Sequence, residues 1–161
     1  MLIEGALFMK KISVIFIVFM LAVCLPACGN NHINSNVRSF GDNVRKIENT
    51  QVELKDLTEF EWDCLYTFSP YTSKNTIQEV IGFKSKDIME NMVSEGIVYL
   101  LFVKDDKVTA NICSSADSLG YYIDFGSYDQ YLCIESSEET IFSVETKDNI
   151  KYLEYIQNEE K

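Results

Sequence analysis

One run of residues decides how much of this chain can fold. Between Ile12 and Leu25 every side chain is apolar except Ser13, and Lys10 and Lys11 stand just before the run. A short basic region, an apolar stretch and a small-residue zone have the layout of a secretory leader, which is removed and takes no part in the mature fold. A bilayer span needs about 20 apolar residues, and residues 12–27 fall short of it. Residues 1–8 suit a leader poorly, because Glu4 is acidic, whereas a start at Met9 gives Met-Lys-Lys-Ile. What remains after the leader is enough for a single domain with one core. Aromatic residues make up 12% of the 161-residue chain and there are only two prolines, Pro26 and Pro70, which argues against disorder.

The run ends in Leu25-Pro26-Ala27-Cys28, followed by Gly29. This resembles the lipobox of bacterial lipoproteins, with an aliphatic residue three positions before the cleavage site, a small one next to it and an obligatory cysteine after it. The resemblance implies that residues 1–27 are a lipoprotein signal peptide, that the Cys28 sulfur takes a diacylglyceryl group, and that Cys28 is the mature N-terminus. Two acyl chains anchor stably where one is marginal. The implied location is the cell membrane, with the domain on its extracytoplasmic side.

Residues 1–28 carry Lys10, Lys11 and Glu4, so of 14 basic and 25 acidic side chains 12 and 24 remain, a net charge of −12. Nucleic acid is held chiefly by Lys and Arg, so it is excluded as a partner. Repulsion from anionic headgroups favours holding such a domain off the surface. Residues 29–36, Gly-Asn-Asn-His-Ile-Asn-Ser-Asn, read as a polar tether, with a reach on the order of 15 Å. The expected division is signal peptide 1–27, lipidated cysteine and tether 28–36, and one folded domain 37–161.

Within that domain Val37, Phe40, Val44 and Ile47 form a helical stripe. Arg38 and Arg45 share a neighbouring face, read as solvated rather than as a headgroup contact. Residues 60–68 alternate, which predicts a strand with Trp62, Cys64, Tyr66 and Phe68 on its buried side. A helix follows, capped by Thr72, with Ile77, Val80 and Ile81 inward and Gly82 at its C-cap. Residues 85–93 have the spacing of one or two further helical turns. Residues 97–103 and 108–113 flank Lys104-Asp105-Asp106-Lys107 and predict a hairpin. A loop is expected over 114–120 and strands over 121–124, 128–135 and 140–145, while 147–157 suits either a helix or a strand. The order predicts an α+β domain, an antiparallel sheet with two or three helices packed on one face, preceded by the signal-peptide helix.

The chemistry is defined largely by what is missing. The only histidine, His32, lies in the expected tether, so the domain holds no imidazole for a Ser-His or Cys-His arrangement. That also weakens a zinc site, and no metal or cofactor is expected. Cys64, Cys113 and Cys133 fall in predicted strands with no Cys-x-x-Cys pair. Three buried thiols are the preferred reading, and one disulfide plus one thiol is the alternative. Asp117, Asp124 and Asp129 lack the spacing of a calcium loop, and no phosphate-binding glycine pattern occurs.

Trp62, Asp63 and Tyr71 lie in the most unusual stretch, which runs from the sole tryptophan through Pro70 to Thr72. Core filling is the preferred reading of Trp62. An aromatic ligand patch is the alternative, since Trp and Tyr anchor interfaces. Asp63, Tyr71 and the pair Tyr121 and Tyr122 are the side chains expected at the surface. Phe60, Trp62, Asp63, Tyr66, Phe68, Pro70, Tyr71 and Thr72 together resemble a motif of small uncharacterised lipoproteins of Gram-positive bacteria. That resemblance implies a cell-surface domain and no particular activity. The expected function is a non-catalytic binding or interaction module with a partner in the envelope. Its rivals are an inhibitor or immunity-type protein directed at a basic enzyme and a carboxylate-dependent hydrolase.

Overall fold

The computed structural model describes residues 29–89 and 96–156. Cys28, the leader and residues 90–93 of the expected extra helix lie outside them. The elements in order are α1 (Gly29–Arg45), β1 (Gln51–Glu53), α2 (Leu54–Leu57), β2 (Cys64–Phe68), α3 (Lys74–Ile81), β3 (Ile97–Lys104), β4 (Lys107–Ser115), α4 (Ala116–Leu119), β5 (Tyr121–Asp124), β6 (Tyr131–Glu135), β7 (Ile141–Lys147) and β8 (Ile150–Tyr155). No helix among the described residues is long and apolar enough to cross a membrane.

The class is α+β, as expected, but the strands divide between two sheets. One has the order β1-β7-β8-β5 and the other β4-β3-β2-β6. All neighbours are antiparallel except β5 and β8, which run parallel from Tyr121–Lys151 to Asp124–Glu154. Both long hairpins turn on two left-handed residues: Asp105 and Asp106 between β3 and β4, and Asp148 and Asn149 between β7 and β8. Asn and Asp tolerate that conformation better than most residues, so the second turn settles residues 150–155 as a strand.

A core between the two sheets joins Leu65, Leu100, Phe102, Ile112 and Ile134 to Tyr121, Ile123, Phe142 and Leu153. Phe40 and Val44 of α1 complete it, together with Leu54 and Leu57 of α2. The other face of the second sheet carries a smaller cluster of Phe68, Tyr99, Leu101 and Val103, covered by Ile77 and Ile81 of α3 and by Ile88. Ser73 rather than Thr72 caps α3, accepting the Thr76 N–H, and Gly82 closes the helix at φ 84°. Thr72 instead donates its hydroxyl to Ser69 O at 2.6 Å, closing the turn after β2.

Several expectations are corrected. The tether is not free chain: α1 starts at Gly29, Ile33 packs against the smaller cluster, and Asn36 donates to Thr109 O at 2.9 Å. Tertiary contact thus overrides a polar composition, and the helix covers β4, which would otherwise be an open edge. Arg38 and Arg45 are exposed, as expected of a solvated face, and Arg45 in addition donates to Leu119 O at 2.8 Å and pairs with Asp42 at 2.6 Å. Residues 85–89 form turns rather than a helix, with Ile88 buried and Met89 exposed. The strand expected from residue 60 begins at Cys64, and that expected from 128 begins at Tyr131. The loop expected over 114–120 holds the end of β4 and all of α4.

Cysteine pairing differs from the preferred reading as well. Cys64 and Cys133 form a disulfide and Cys113 is free. In the β2–β6 ladder Cys64 faces Glu135 and Cys133 faces Tyr66, so the two cysteines are diagonal neighbours on one face.

Candidate functional site

The clearest concavity is a slot of about 330 Å³ lined by residues 67–70, 96–100 and 122–128. It arises from how the strands end. β2 and β3 pair only from Cys64–Val103 to Tyr66–Leu101, after which β2 continues to Phe68 beside β6 and β3 reaches back to Ile97 beside β4. The two strands therefore part, and the open space lies between them. β5, the last strand of the first sheet, closes the third side.

Consecutive residues of β3 and of β5 line the slot. Neighbouring side chains on a strand point to opposite faces, so consecutive lining residues mean that each strand presents its edge. Tyr128 spans the wall formed by β2. Its hydroxyl lies 3.2 Å from Thr67 Oγ1 and donates weakly to Phe68 O at 3.5 Å. Asp124 is the one charged residue among the described lining residues. Its Oδ1 accepts the Gly126 N–H at 2.8 Å, which shapes the turn out of β5. Burial, then the nearby Asp124 and Tyr128, push the Tyr122 hydroxyl above its ordinary pKa.

Comparison with family models, curated proteins and solved structures gives no match.

The five residues singled out from sequence do not form one site. Trp62 is 8% exposed and sits in the main core, its ring 5.5 Å from Phe102 and its indole N–H donating to Thr58 Oγ1 at 3.1 Å. This agrees with core filling. Trp62 does not share a face with Tyr66 and Phe68, however, because it packs with Leu65 in the core between the sheets. Asp63 is exposed, as expected, but its carboxylate is occupied by the β3–β4 turn: Asp105 N–H at 2.9 Å and Lys104 Nζ at 3.4 Å. The Asp105 bond, followed by Lys104, holds its pKa below the usual carboxylate value. Tyr71 is exposed in a left-handed turn residue and does not line the slot.

Tyr121, expected at the surface, is 1% exposed and meets Phe40 edge-on at 6.1 Å. Burial pushes its hydroxyl pKa up to about 12. Alternation along β5 sends Tyr121 inward and Tyr122 outward, so only Tyr122 of the five reaches the slot. The lining residues missed in the sequence are chiefly Thr67, Phe125 and Tyr128. Thr67, a hydroxyl inside an otherwise apolar strand, was the one visible signal.

Among the described residues, no group of three or more His, Cys, Asp or Glu side chains is placed to hold a metal ion. Cys113 is half-buried, and burial raises its thiol pKa, which disfavours the reactive thiolate.

Proposed function

We propose that this chain is a lipid-anchored extracytoplasmic protein, held by a diacylglyceryl group on Cys28, and that it acts by binding at the slot rather than by catalysis. The structural observation that carries the location is the Cys64–Cys133 disulfide, since such bonds persist in oxidising compartments outside the cytosol. It supports the reading that the lipobox suggests. Binding is supported by the slot itself, which offers hydroxyls, strand edges and a single exposed carboxylate, where paired-carboxylate chemistry needs two.

The test is metabolic labelling with a fatty acid in the native host, for the wild type and for Cys28→Ala. The expected result is a labelled, membrane-bound wild type and an unlabelled variant with its leader still attached. Equal labelling of both, or an unlabelled wild type, would reject the anchor.

A second reading has its own support. Glu145, Tyr152 and Tyr122 form one row across the outward face of the first sheet, and Gln51, Ser143, Glu154 and Asp124 form the next. This acidic face, with Tyr152 38% exposed, suits a basic partner enzyme. Capture of such a partner at low salt and its release at high salt would favour an inhibitor.

A further inference from the structure

We infer that the slot takes a short extended peptide, uncharged or cationic, which adds to the free edge of β3 with its amino group toward Asp124. The inference deepens the binding reading and rests on the slot being the site of binding.

Strand geometry is the first support. Along β3, residues 97–100 pair only with β4, from Ile97–Ser115 to Leu100–Ile112. Alternate residues of a strand direct their N–H and C=O groups to opposite neighbours. Half of this segment therefore aims main-chain donors and acceptors into the slot, where β2 has turned away at Ser69 and Pro70. Such groups need partners. Water supplies them weakly, whereas an extended peptide supplies them in register, which is the physics of strand addition. The opposite wall is the edge of β5, so the slot offers a second row of the same groups. A sugar or a compact metabolite makes little use of parallel rows of main-chain partners.

Size and charge narrow the occupant. At about 330 Å³ the slot lies at the small end of ligand sites, suited to a di- or tripeptide rather than a long strand. Among the described lining residues there is no Lys, Arg or His to meet a carboxylate, and Asp124 is the only charge. An acidic peptide would therefore enter against repulsion. An amino terminus or a lysine side chain would meet the Asp124 carboxylate beside Tyr122, whose ring also favours a cation.

The experiment uses the full chain in detergent micelles, with amide NMR shifts as the readout. The probes are trialanine, N-acetyl-trialanine, trialanine methylated on its central nitrogen, Asp-Ala-Ala and glucose. The expected result is shifts at Ile97 to Leu100 and Tyr122 to Asp124 with trialanine. Affinity should fall about fivefold on N-acetylation, the scale of one exposed ion pair, and largely vanish on N-methylation. Asp124→Asn keeps an oxygen for the Gly126 N–H while removing the charge, so it should cancel the N-acetylation effect without unfolding the domain. If glucose shifts these amides and trialanine does not, the slot remains a binding site and the peptide assignment fails. If no probe shifts them at millimolar concentration, both fail. Equal binding of the N-methylated peptide would overturn strand addition.

Discussion

Asp63 Oδ2 accepts the main-chain N–H of Asp105 at 2.9 Å, tying the lead-in of β2 to the tip of a hairpin far along the chain. The same residue donates its own N–H to Val103 O at 2.7 Å and accepts from Ser136 N at 2.9 Å. One residue thus joins β2 to the β3–β4 turn and to the end of β6. Asp105 sits at φ 47°, a conformation costly for a residue with a side chain, and the carboxylate helps to fix it there.

Asp63→Ala should therefore lower the melting temperature at neutral pH. The folded carboxyl titrates below its ordinary value, chiefly through the Asp105 bond. Its contribution is present above the unfolded pKa and is lost as pH falls through the folded pKa. Melting curves of wild type and variant should differ by a constant amount above about pH 5 and converge in stronger acid. A gap that persists unchanged below pH 2 would mean that the carboxylate's charge is irrelevant.

Removing the disulfide should cost stability without changing the fold. Cys64 and Cys133 are 69 residues apart, and a cross-link closing a loop of that length is worth about 2–4 kcal/mol. Denaturant titration of the double variant Cys64→Ala, Cys133→Ala checks this. Peptide mapping of the denatured, unreduced protein should find alkylation at Cys113 and none at Cys64 or Cys133.

Tyr121 predicts a weakness at high pH. Its hydroxyl pKa rises from 10.0 to about 12 through burial, so the unfolded chain ionises first. The stability it contributes is complete below about pH 10 and lost as pH climbs through about 12. Tyr121→Phe should flatten that decline in pH-dependent denaturation. Tyr99, also raised by burial, leaves a residual slope.

Features set by a few adjacent residues were legible in the sequence. The Lys104–Lys107 turn, the Gly82 cap and the Phe40 and Val44 stripe all depend on neighbours within one turn of chain. Contacts made far along the chain were not. Alternation put Trp62 with Phe68 because it assumes a straight strand, and the chain bends at Asp63 to meet Val103. The slot was invisible for the same reason, since it exists only because β2 and β3 diverge after Tyr66 and β5 lies opposite. Cysteine spacing does not reveal a diagonal pair in a ladder whose register is unknown. The polar segment before Val37 concealed one informative residue, Ile33.

Ile33 distinguishes a tether from a helix. It packs against the cluster beneath α3, so Ile33→Asp should lower stability by about 1 kcal/mol or more through lost apolar burial and a stranded charge. Denaturant titration of that variant measures it, and hydrogen exchange at residues 33–36 reports the helix directly. No change in either would restore the free tether.

The first sheet has the order β1-β7-β8-β5, which places the later hairpin of its described strands in its middle. β1 and β5 join only through that hairpin, so β1 has no partner in the sheet until β7 has been made and β5 none until β8 has. The first sheet is therefore complete only when β8 is in place. The second sheet, β4-β3-β2-β6, lies wholly upstream of that hairpin, so its strands are all present before the first sheet can close over the shared core.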